Sequence, residues 1–140
     1  MIDQKDVYRD THVTVTLILD EDLDSQPADF DCYLAEDIDA WDRALWSYVY
    51  LRAEIVVDGA TLGINGRGSV EHGSLPGVEA DAFELTPDSE TDGVVTMGSP
   101  AWSVVAEALA SAEHWFTAHS ADGSVLDGAR TWLRDPKVTS

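Results

Sequence analysis

A chain of 140 residues that is 44% hydrophobic and holds five tryptophans can bury a core without disulfides or metal, which excludes wholesale disorder and points to one domain over residues 1–140. Its 27 acidic and 8 basic residues give a formal net charge of −19, which argues against direct binding to nucleic acid or anionic lipid, because both need Lys and Arg to neutralise phosphate. No run approaches the roughly 20 apolar residues of a membrane span, and the start of the chain is acidic where a signal peptide would be basic and then apolar, so a cytoplasmic setting away from membranes is expected.

The acidity is uneven. Residues 1–45 hold 13 acidic and 3 basic residues, residues 46–99 hold 9 and 2, and residues 100–140 hold 5 and 3. A positively charged partner is the counterpart such a surface favours, although acidity also serves solubility alone.

Met1 to Asp10 is polar and reads as a frayed segment or an approach to the first strand. Thr11 to Leu19 alternates, with Val13, Val15, Leu17 and Leu19 on one face and His12, Thr14, Thr16 and Ile18 on the other, the period of a strand. Asp20 to Asp31 then carries six carboxylates, Asp20, Glu21, Asp22, Asp24, Asp29 and Asp31. Their spacing resembles a calcium-binding EF-hand loop, but Ser25 stands where the sharp turn needs glycine, Pro27 where an apolar strand residue belongs, and the segment before reads as strand. A solvated acidic loop is the expectation, with no metal assigned. The single Cys32 has no intramolecular disulfide partner and reads as an inert buried thiol. Ala35 to Leu45 suits a short helix, with Ile38, Trp41 and Leu45 on one side and Glu36, Asp37, Asp39 and Asp42 mainly on the other. Its acidic first turn complements the helix dipole.

Trp46 to Val57 again has a period of two and runs into Asp58-Gly59, the strongest short hairpin signal, returning as Ala60 to Ile64. The odd positions of this strand are assigned to the core. Trp46, Tyr48, Tyr50, Arg52 and Glu54 share the other face, which a helix or the long loop is expected to cover. Gly63 to Val70 lacks the Gly-Lys-Ser/Thr ending of a phosphate loop and reads as a bulge or turn. From Ser69 to Gly98 the chain is rich in Gly, Pro and acidic residues, with short strands expected at Ala82–Leu85 and Val94–Met97. Ser99-Pro100 opens the clearest helix, carrying Trp102, Val105, Leu109, Ala112 and Phe116 as its apolar stripe. After Ala121-Asp122-Gly123, Ser124-x-x-Asp127 reads as a capping box for a second helix that Pro136 stops. The fold class expected is α+β: a mainly antiparallel sheet of three to five strands centred on the 46–64 hairpin and packed against C-terminal helices.

Catalysis needs a nucleophile, a base within reach and an orienting group. The candidates are His12, His72, His114, His119 and Cys32, and none lies in a motif; His114 and His119 are five apart, which does not bring two rings to one helix face. No catalytic residue, metal site or cofactor is assigned.

Trp46-Ser47-Tyr48-Val49, Asp58-Gly59-Ala60-Thr61-Leu62-Gly63, Ser69-Val70-Glu71 and the helix after them, over about Trp46 to Phe116, resemble a group of small uncharacterised proteins carried by phages and plasmids, often of actinobacteria. The resemblance implies an accessory role on a mobile element, where acidic proteins include inhibitors of restriction and CRISPR systems that imitate DNA. Carboxylates on alternate residues of an extended segment repeat at about 6.6 to 7 Å, on the scale of neighbouring phosphates. Asp20-x-Asp22-x-Asp24, Asp29-x-Asp31 and Asp37-x-Asp39 could so present a phosphate-like ladder. The expectation is a non-enzymatic inhibitor of a nucleic-acid-handling protein, binding that basic partner through Asp20, Glu21, Asp22, Asp24, Asp29, Asp31, Glu36, Asp37, Asp39 and Asp42. An immunity protein or antitoxin against a basic nuclease, and a small hydrolase or ligand-binding enzyme, are the alternatives.

Overall fold

The computed structural model describes residues 2–137. Five strands form one antiparallel sheet in chain order: β1 (Asp3–Arg9), β2 (Val13–Glu21), β3 (Trp46–Val57), β4 (Ala60–Leu75) and β5 (Val78–Ala80). A separate two-stranded hairpin joins β6 (Ser89–Thr91) to β7 (Val94–Thr96). Helix α1 (Ala35–Asp42) precedes β3, and α2 (Pro100–Ala118) and α3 (Asp127–Arg134) close the chain. This is the expected α+β class, with the hairpin at the centre of the sheet.

The register follows from the apolar alternation. Val13, Val15, Leu17 and Leu19 of β2 stand opposite Val57, Ile55, Ala53 and Leu51 of β3, so one face of the sheet is continuously apolar. A one-residue slip of either strand would turn its four toward the other face. Against them α2 packs Ala101, Val104, Val105, Ala108, Leu109, Ala112 and Phe116. Its start is fixed by Ser99, whose side chain accepts a hydrogen bond from the Trp102 backbone N–H.

The turn at Asp58-Gly59 has positive φ at both residues, +49° and +85°, as a hairpin of this hand requires. The returning strand is far longer than its apolar start suggests, reaching Leu75. It continues through the glycines because its pairing with β3 shifts register twice, at Leu62 and at Gly68-Ser69. Gly63 is required at the first region: a Cβ there would stand 2.1 Å from the Ala108 carbonyl oxygen, so its absence lets α2 approach β4.

Several sequence expectations are corrected. The polar segment before Asp10 is not a mere approach: its residues from Asp3 form the edge strand β1, bulged between Asp6 and Tyr8 so that Val7 is fully buried. Ala82–Leu85 forms no strand; Ala82 is buried and its N–H donates to His72 Nδ1, 3.0 Å away. Ser124 caps nothing, because Asp122 accepts from the Ser124 N–H and opens a 3-10 turn that leads into α3. Helix α1 ends at Asp42, and it is Ala40 that it buries, whereas Ile38 and Leu45 are exposed. Cys32 is exposed rather than buried.

Candidate functional site

On the second face of the sheet, α1 and the segment before it cover one end. There Trp46 and Tyr48 are 2% and 3% exposed beneath Tyr33, Trp41 and Ala40, whereas Tyr50 farther along the same strand is 40% exposed. Tyr33 stacks on Trp46 at 5.3 Å between ring centroids, and Trp46 meets Tyr48 edge-on at 5.1 Å. Offset and edge-on arrangements of this kind are the favoured ones for aromatic pairs. The Trp46 indole N–H donates to the Asp37 carbonyl, 2.9 Å, which fastens α1 to the strand. The Tyr33 hydroxyl donates to Glu71, 2.5 Å; burial first, and then this bond, push its pKa well above the usual phenol. Burial also raises Tyr48, whose hydroxyl has no well-formed hydrogen bond among the described residues.

The ten carboxylates assigned to partner binding belong to the cover of this end and to the strand that leads into it. Five of them have structural work. Asp20 lies 3.3 Å from the Arg52 guanidinium. Asp22 accepts from the Ser69 N–H at 2.7 Å, from the Ser25 hydroxyl at 2.9 Å and from the Asp24 N–H at 3.1 Å. These bonds, that from Ser69 foremost, hold its carboxyl below the usual carboxylate range and tie the acidic loop to the β4 bulge, where Ser69 has φ +56°. Asp29 and Asp37 accept from the N–H groups of Gln26 and Leu34, closing the starts of a 3-10 turn and of α1. Asp39 sits 3.6 Å from Arg43. The other five, Glu21, Asp24, Asp31, Glu36 and Asp42, are exposed, with no ion pair among the described residues.

The phosphate-like ladder is not formed. Of the runs that were to supply it, only Asp20 lies in a strand; Asp22 and Asp24 are in a loop, Asp29 in a 3-10 turn, and Asp37 and Asp39 in α1. Helical residues two apart do not face the same way. Two of the ten, Glu21 and Asp22, instead help to line a cleft of 410 Å³ that sequence reasoning missed. Ile2, Leu23, Ser25, Trp41, Ser47 and Tyr48 complete its lining. The one available signal was Leu23, an isolated apolar residue in an acidic run, now 86% exposed.

The histidines are dispersed. His12 lies 2.8 Å from Asp58 across the hairpin turn, His72 accepts from Ala82, and His119 stacks on Trp115 at 4.2 Å with its Nδ1 2.8 Å from that residue's carbonyl. His114 is exposed on α2. Among the described residues no group of three or more His, Cys, Asp or Glu side chains is placed to hold a metal ion, and no helix is long and apolar enough to cross a membrane.

Fold and site together define an α+β domain with an antiparallel sheet, one face packed on a helix and one end of the other face closed by an acidic, aromatic cover. Comparison with known proteins gives no matching family model, no matching curated protein and no matching solved structure.

Proposed function

We propose that this is a non-enzymatic binding protein that inhibits a basic, nucleic-acid-handling protein by occupying its phosphate-binding surface with the segment from Asp20 to Asp42. One observation carries the reading: residues 20–42 hold ten carboxylates and no Lys or Arg, and five of those carboxylates are exposed without an ion-pair partner among the described residues. A groove evolved for phosphate presents Lys and Arg, whose charge a dense carboxylate surface can satisfy without copying phosphate spacing. The resemblance to mobile-element proteins makes a host-defence nuclease the first partner to try.

The test is capture of such a nuclease on the immobilised protein at low and high salt, followed by elution with duplex DNA. Charge reversal belongs at Asp24, Asp31 and Glu36, since changing Asp20 or Asp22 would also disturb Arg52 or the Ser69 bulge. Loss of capture in the triple variant, with folding intact, and release by salt and by DNA support the reading. Capture that survives charge reversal removes it and leaves the acidity as a solvated surface.

A further inference from the structure

The cleft at the acidic end has a composition that a purely electrostatic surface would not need. A charged face meant only to repel its own kind, or to lie against a flat basic surface, gains nothing from a recess lined by Trp41, Tyr48, Leu23 and Ile2. Its volume lies within the range of about 300 to 1,000 Å³ usual for ligand sites. The two ionisable groups in its lining besides Tyr48 are Glu21 and Asp22, both acidic. Hydrogen bonds from Ser69, Ser25 and Asp24 hold the Asp22 carboxylate in place, while Glu21 is exposed and forms no ion pair among the described residues.

We propose that this cleft is the anchor point for one arginine side chain of the basic partner, a proposal that rests on the acidic-surface reading above. Long basic side chains bury their methylene stems along apolar surface while the charged head seeks polar company. Here Leu23, Ile2 and the two rings offer the apolar part, and Glu21 and Asp22 the company. Arginine suits it better than lysine because a guanidinium is planar, weakly hydrated and able to lie against an aromatic ring while bonding a carboxylate with two N–H groups. Anions are disfavoured by the net charge of −19, and a neutral apolar occupant would bring no counter-charge to the two acidic residues of the lining. Charge complementarity therefore selects the occupant, and the apolar lining selects its long stem. Binding would concentrate at this point, as interface energy commonly does at a few pocketed residues ringed by weaker contacts.

The probe is an amidated pentapeptide with one arginine between glycines, compared with the same peptide carrying citrulline, the neutral isostere, and with N-acetyl-arginine amide. Amide and indole NMR shifts of the intact protein are followed on titration. The expected result is saturable shifts at the Trp41 indole N–H and at the Glu21 to Ser25 and Ser47 amides, with the citrulline peptide much weaker. Leu23→Ser and Glu21→Gln, both at exposed positions, should each weaken the arginine peptide about three- to fivefold, whereas Glu36→Gln should leave it unchanged. Equal response to citrulline, shifts spread over every acidic residue and indifferent to Leu23→Ser, or loss of the cleft response in N-acetyl-arginine amide, which carries the same side chain, would each overturn the inference. So would concentration-dependent shifts at the cleft without peptide, which would make a second copy of this chain the occupant. The capture experiment judges the broader reading separately: capture lost on charge reversal but kept in Leu23→Ser and Glu21→Gln sinks the anchor alone, and capture kept on charge reversal sinks the reading beneath it.

Discussion

Gly63 and Gly66 sit three residues apart on β4, yet they keep their hydrogens for different reasons. A Cβ on Gly63 would meet the backbone carbonyl of Ala108 at 2.1 Å, and backbone within a helix cannot step aside. A Cβ on Gly66 would meet the hydroxyl end of Tyr50 at 2.3 Å, and that ring is 40% exposed and free to swing away. Gly63→Ala should therefore destabilise the protein by about 1 to 3 kcal/mol, the usual range for overpacking, and Gly66→Ala by clearly less. Urea unfolding of the two variants checks the order. His12 offers a second test. Its hydrogen bond and charge attraction to Asp58 raise its pKa above the ordinary 6.5. A raised folded-state pKa means that the protonated pair favours the folded state fully below the unfolded value and that this contribution fades as pH rises through the folded one. The Tm of the native protein should accordingly decline across that window relative to His12→Asn, whose profile lacks the step.

Between elements, the joint between the acidic loop and β4 is the one to break. Asp22 gathers three hydrogen bonds there, and its pKa is lowered, so its contribution is present above the ordinary 3.8 and is lost as pH falls through the lower folded-state value. Asp22→Ala should cost about 2 kcal/mol, in line with hydrogen bonds to a charged acceptor, and should speed hydrogen exchange at the Ser69 amide more than in α2. This joint also marks where sequence stopped being informative. The central hairpin, the strand at Val13 and the Pro100 helix were legible because apolar period, turn residues and an N-cap all agreed at each. Strand β1 was not, since as a half-covered edge with a bulge at Val7 it carries charges that hide its alternation. The extension of β4 was hidden by Gly66 and Gly68, which look like a turn until Tyr50 is seen lying over them. The candidate site was legible only as charge. Asp22 and Ser69 are 47 residues apart in sequence, and no local pattern reports a contact over that separation.

At the scale of the whole molecule, the charge of −19 acts on folding and on binding in opposite directions. Like charges on a compact body repel one another, so added monovalent salt should raise the Tm by screening that repulsion. Attraction to a basic partner is screened by the same ions, so salt should slow association and weaken capture. Neutralising Asp24, Asp31 and Glu36 to their amides removes three exposed charges that have no basic partner among the described residues. The triple variant should therefore match or exceed the native Tm at low salt, gain less from added salt, and bind the partner more weakly. A surface kept acidic only for solubility would show the first two effects without the third. A surface selected for a basic counterpart must show all three, because it holds its carboxylates together at a cost in stability that only binding offsets. Thermal melts and capture measured on the same two proteins across one salt series separate the cases.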